Sequence, residues 1–147
     1  MNTMWDNNAR AELLQRLTAL APNSPRQWGK FTCEQMLAHV TDGIRMALGE
    51  LHVAPKFTPF KFWPMKQLII YKLPFPKGAP TAPELLARRP ESIESEKAAL
   101  ASAINRLADR AQQPAWPDHP AFGSLTGQDW GALIYKHLDH HFRQFGV

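Results

Sequence analysis

Between Thr126 and Phe145 the chain reads TGQDWGALIYKHLDHHFRQF, and its apolar residues recur with the period of an α-helix. Thr126 can act as N-cap, with Asp129 three residues on as a near relative of the capping box, and Gly146 can end the helix. With His137 set at zero, Trp130, Leu133, Ile134, His141 and Phe145 all fall within about 80° of it. Ala132, Lys136, Asp139 and Arg143 collect on the opposite side, at about 200–260°. Two imidazoles therefore enter the apolar face one turn apart, which restricts what can pack there. A buried imidazole needs hydrogen-bond partners, and burial disfavours its charged form. Either each ring is a satisfied core histidine, or both donate to one metal ion through nitrogens at about 2.0–2.1 Å. Leu138 stands where the zinc-protease motif H-E-x-x-H has its Glu, so that chemistry is excluded.

A chain of 147 residues, 44% hydrophobic and 20% charged, is long enough for one domain with its own core. It has no apolar run long enough to span a bilayer, and its N-terminus, MNTMWDNNARAELL, lacks the pattern of a secretory signal. Lone Cys33 excludes an internal disulfide and fits a reducing compartment. A cytoplasmic location is the expectation. The net charge of +4 is unevenly spread, because no acidic residue lies between Glu50 and Glu84, where Lys56, Lys61, Lys66, Lys72 and Lys77 all occur. Phe57, Phe60, Phe62, Trp63, Tyr71 and Phe75 interleave them. Such a mixture can face phosphate, an anionic lipid surface or an anionic substrate. No RNA-binding or zinc-finger pattern accompanies it, so the expectation is a connecting segment with solvated lysines and core-facing aromatics.

In chain order, a first helix is expected over about Asn8–Ala21, with Leu13, Leu14, Leu17 and Leu20 inward and Pro22 as its stop. After PNSPRQWG, with Trp28 packing at the mouth of the next helix, a second helix opens at Thr32 with Gln35 as capping-box partner and runs to about Gly49. Its buried face is centred on Met36, Leu37, Val40 and Ile44, with His39 at the edge and Gly43 and Met46 leaving room for a ligand. Eight prolines fall between Leu51 and Pro90, leaving one short helical stretch from about Pro64 to Tyr71. A connection of that length suits a crossover or a lid. A third main helix is expected over about Glu91–Gln112 around Ile93, Leu100, Ile104 and Leu107, with Glu94 and Glu96 beside the stripe. With the C-terminal helix, the sum is all-α: one four-helix bundle over residues 1–147 with a proline-rich crossover at about 51–90.

Cofactor sites in such bundles form where inward side chains of facing helices converge. His39 can meet His137 and His141 if the faces oppose at one level, and three neutral imidazoles leave a coordination position open. His140 points to the other side of His137, His119 can tie down its loop, and His52 has no pattern behind it. Neither Asp42 nor Asp139 is placed as a general base, and Cys33 reads as a buried structural thiol.

These residues resemble a family. A helix-two histidine, a long crossover and a terminal helical H-x-x-x-H look like the DinB/YfiT-like metal-dependent enzyme superfamily, strongest over WGKFTCEQMLAH and HPAFGSLTGQDWGALIYKHLDHHFRQFG. The resemblance implies an up-down-down-up bundle, a homodimer, and a divalent metal, zinc or nickel, on His39, His137 and His141. In the arrangement H-x-x-x-H-x-x-Q, Gln144 follows as a residue that supports a ligand or touches substrate. Some relatives are thiol S-transferases or isomerases using low-molecular-weight thiols. Small-molecule hydrolysis is the alternative enzyme reading, and a non-enzymatic metal-binding or stress-related protein the alternative outside enzymes.

Overall fold

The computed structural model describes all 147 residues. Five α-helices make up the regular structure: α1 (Asn7–Ala19), α2 (Cys33–Ala47), α3 (Met65–Tyr71), α4 (Ile93–Asp109) and α5 (Gly127–Gln144). Short 3₁₀ turns at Pro59–Lys61 and Pro83–Leu85 interrupt the long connection between α2 and α4. There is no strand; the backbones of His119 and Gly123 pair only as an isolated bridge. No helix is long and apolar enough to cross a membrane.

Side chains cap each of the four longer helices, satisfying donors that the first turn leaves free. Asp6 accepts from the backbone N–H of Asn8 and Ala9, and Ser92 accepts from that of Ser95. Thr32 with Gln35, and Thr126 with Asp129, close both halves of a capping box. Each such cap contributes about 1 kcal/mol. The caps also correct the expected boundaries. Ser92 starts α4 at Ile93 and not at Glu91, and Leu20 turns to an extended conformation that ends α1 at Ala19 while its side chain stays buried.

Helix α2 packs against both α4 and α5, and α1 touches α4 and α5 from the other side. Leu13 from α1, Met36, Leu37 and Ile44 from α2, Leu100, Ile104 and Leu107 from α4, and Trp130, Leu138 and Phe142 from α5 are completely enclosed. Each large apolar side chain so buried contributes roughly 1.5–3 kcal/mol against the entropy of ordering the chain. Twelve of the fifteen residues of α2 are buried, so α2 is covered on nearly every side. His39, expected at an edge, is for that reason only 4% exposed: the connection between α2 and α4 covers the flank that the other helices leave open.

That connection is fastened chiefly to α5. The Tyr71 hydroxyl donates to Asp129 at 2.6 Å, and Lys136 Nζ donates to the Ile69 carbonyl. Lys66 Nζ reaches the Ser124 carbonyl at 2.7 Å, and Ile70 is fully buried. The expectation that the aromatics of this stretch face the core fails for four of them, Phe60 being 37% exposed. Phe57, Phe62 and Trp63 are 90%, 61% and 82% exposed. Proline-punctuated backbone gives them no helix or strand period with which to turn inward, and Ile70, Tyr71 and Phe75 supply the inward contacts instead.

The last turn of the connection carries Arg88 into the protein, where it forks onto Glu96 at 2.8 and 2.9 Å and reaches Asp42 at 3.3 Å. Glu96 and Asp42 are 1% and 2% exposed, so Glu96 is not beside the α4 stripe as expected but beneath this arginine. Burial alone raises the Glu96 pKa. The Arg88 fork, the Glu91 N–H and the Arg88 charge outweigh it, and the net shift is downward. The stability from this pair is present above the unfolded carboxylate pKa and lost as pH falls through the lower folded value. Arg88→Met should therefore destabilise the protein by about 3 kcal/mol at pH 7. In denaturant titrations the gap to the parent should close below about pH 4; a gap independent of pH would refute this account of Arg88.

Candidate metal centre

Helices α2 and α5 bring three imidazoles together. The ring centroids of His39, His137 and His141 form a nearly equilateral triangle with sides of 4.8, 4.8 and 4.9 Å. One nitrogen from each ring lies within 4.8 Å of the others, and the Nε2 atoms of His39 and His137 are 2.9 Å apart. The approach depends on Gly43, one turn after His39. A Cβ there would stand 3.3 Å from the His137 ring. The room expected at Gly43 for a ligand is thus taken by His137 itself.

Two of the rings are oriented from behind. His39 Nδ1 lies 3.2 Å from the Leu85 carbonyl, which can only accept, so Nδ1 carries the proton and the Nε2 lone pair is free. Gln144 donates from Nε2 to the Trp28 carbonyl at 2.9 Å, which presents its Oε1 to His141 Nδ1 at 2.8 Å. His141 Nδ1 therefore donates, and its Nε2 is likewise free to ligate. His137 then supplies the N–H of its contact with His39 Nε2, a proton that a shared ion would displace. Room for the Gln144 amide comes from Gly29, at φ +80°, where a Cβ would meet Nε2 at 2.5 Å.

Burial holds all three rings neutral. It lowers the pKa of His39 despite the opposing Leu85 carbonyl and Asp42 charge, and, with the neighbouring imidazoles, lowers His137 further. His141 is brought down to about 3, by burial first and then by His39. Neutral imidazole is the form that binds a metal. Two donors on one ion at about 2.0–2.1 Å can be at most about 4 Å apart, and the 2.9 Å pair lies inside that limit. Three convergent nitrogens, two of them with their lone pairs fixed by carbonyl oxygens behind the ring, fit a divalent cation.

Aromatic walls surround the cluster. The Phe31 ring lies 5.2 Å from His39 and 5.8 Å from His141, and Phe75, from the connection, lies 6.2 Å from His137. His140 stays outside, as expected, between Trp28 and Phe75. Lys77 and Lys136 lie over the Trp28 and Phe75 rings at 4.4 and 4.8 Å. Beside His39 a cavity of about 500 Å³ is lined by Lys30, Phe31, Gln35, Leu85, Arg88 and Arg89.

Other expected roles resolve structurally. His119 ties its loop by accepting from the Ala121 and Phe122 N–H groups at 3.0 and 3.2 Å, and burial lowers its pKa to about 4. His52 is exposed, and Asp139 pairs with Arg16 and Arg143. Cys33 is a buried thiol whose pKa burial raises to about 11, as suits a structural role. Sequence reasoning missed Leu85, Phe31 and Phe75. Leu85 acts through its backbone, which no side-chain pattern encodes. Glu84, on the same 3₁₀ turn, has an Oε2 that is buried without a hydrogen-bond partner.

A family model described as "DinB superfamily" matches residues 6–145. No curated protein and no solved structure matches the chain.

Neutral buried imidazoles have a consequence for stability. In the folded protein His141 and His119 titrate near 3 and 4, below the ordinary value of 6.5. Between those limits the unfolded chain binds protons that the folded chain does not, so stability falls as the pH falls through that window. Chelator-treated protein should lose up to about 1.4 kcal/mol per pH unit for each such histidine below about pH 6. His141→Gln and His119→Gln should each flatten the slope measured by urea titration at several pH values; an unchanged slope would contradict the assignment.

Proposed function

The chain belongs to the DinB superfamily, whose members often bind metal, and on that premise we propose a divalent-metal centre held by His39, His137 and His141. The observation that carries the proposal is the triangle of neutral imidazoles, two of them aimed by carbonyl oxygens of Leu85 and Gln144. We read the chain as one domain, an up-down-down-up four-helix bundle of α1, α2, α4 and α5 working as a homodimer in the cytoplasm. Zinc or nickel suits an all-imidazole donor set.

The activity we propose is S-transfer from a low-molecular-weight thiol to a small electrophile. A divalent ion at the three histidines would lower the pKa of a thiol bound there. The protein's own groups supply the rest. Phe31 and Phe75 limit water around the cluster, and the cavity beside His39, with Lys30 and Arg89 on its wall, favours an anionic portion of the substrate. The thiol proton leaves to solvent through the cavity beside His39. The sulfur then bonds to the electrophilic carbon while the leaving group departs with its electron pair.

Elemental analysis should find about one zinc or nickel per chain. His137→Ala/His141→Ala should be folded and metal-free; retained metal would move the site elsewhere. Gln144→Leu should keep the fold and weaken metal binding by about 10–100-fold in competition with a chelator.

A further inference from the structure

The exposed face of the connection between α2 and α4 takes no part in the histidine site. Phe57, Phe62 and Trp63 are 90%, 61% and 82% exposed, and Met65, Leu68 and Leu73 are 38%, 39% and 48% exposed. On α3, Met65, Leu68 and Lys72 fall on one side at spacings of three and four residues, opposite the buried Ile70. A shallow groove of about 700 Å³, lined by Met1, Trp63, Pro64, Leu68, Tyr71 and Lys72, runs along this side. Single exposed apolar side chains are ordinary, but seven within seventeen residues, Phe60 included, are not.

The charge of this stretch is of one sign. No acidic residue lies between Glu50 and Glu84. The intramolecular ion pairs all use arginine, so no lysine of the stretch has an anionic partner. Lys66 is held by the Ser124 carbonyl and Lys77 lies over Trp28, which leaves Lys56, Lys61 and Lys72 for an external anion. A second copy seated on this face about a two-fold axis would oppose these lysines to themselves. A nucleic acid would use the aromatic rings for stacking but gains little from Met65, Leu68 and Leu73. An anionic bilayer uses all three features: tryptophan and phenylalanine at the headgroup level, aliphatic side chains at the acyl boundary, and lysines against anionic phosphates.

We infer that this face is a docking surface for anionic phospholipid membranes, on which the protein lies without spanning the bilayer. Full-length protein is sedimented with vesicles of phosphatidylcholine alone and with vesicles containing ~30% phosphatidylglycerol. The expected result is at least ~10-fold stronger binding to the anionic vesicles, weakening as salt is raised. Phe57→Ser/Trp63→Ser and, separately, Lys56→Glu/Lys72→Glu should each abolish it. All four side chains are exposed, so the melting temperature and metal content should not change, and two chemically different variants keep the test intact if one fails to fold. Quenching of tryptophan emission by brominated lipid should disappear in Trp63→Phe. The inference is overturned by absence of anionic-vesicle binding at low salt, or by binding that survives in both variants. It is also overturned if the variants dissociate a dimer while vesicle binding is absent, or bind single-stranded DNA less while vesicles never compete.

Discussion

Three imidazoles packed against one another out of water cannot readily be charged, and the rest of the site depends on that constraint. Bringing them together requires α2 and α5 to approach closely enough that the His137 ring fills the space beside Gly43. Desolvation then keeps the rings neutral, and neutrality makes them ligands. The hydrogen bonds behind the rings decide which nitrogen is available. Leu85 fixes His39, and Gln144, itself fixed by Trp28 beyond Gly29, fixes His141. His137 has only its histidine neighbour as a ring partner, so it is the ring best able to adjust when a cation enters.

The long connection links the site to the stability of the fold. Its 3₁₀ turn at Pro83–Leu85 supplies the carbonyl behind His39, and Arg88, three residues later, anchors the same segment to Asp42 on α2 and Glu96 on α4. Asp42 lies one turn beyond His39, so one buried ion network secures both the helix that carries the histidine and the segment that aims it. This explains why a proline-rich, largely irregular stretch can still contribute to an ordered site. Its fixed points are few, but each is a charged or carbonyl group held at hydrogen-bond distance.

The final helix was legible because its caps and its apolar stripe agree: Thr126 and Asp129 close a capping box, His141 is buried with Trp130 and Phe142, and His137 is half-buried beside it. The meeting of His39 with that pair was legible for the same reason, since helical periodicity gives a direction to each side chain. Gln144 followed from family resemblance and a position on the same face. What was not legible belongs to the connection. Its prolines carry no period, so the outward set of Phe57, Phe60, Phe62 and Trp63 was indistinguishable from inward Tyr71 and Phe75. The burial of Glu96 was hidden for a related reason: its partner Arg88 lies in a segment whose path cannot be read from local pattern.

The central claim is that all three imidazoles hold one cation and leave it a position for a thiol. X-ray absorption at the zinc edge of zinc-loaded protein addresses both parts at once. The account predicts three imidazole scatterers at about 2.0–2.1 Å, and one added sulfur at about 2.3 Å when a small thiol is supplied. Two imidazoles or fewer, with no change on adding thiol, would contradict it and return these rings to the core.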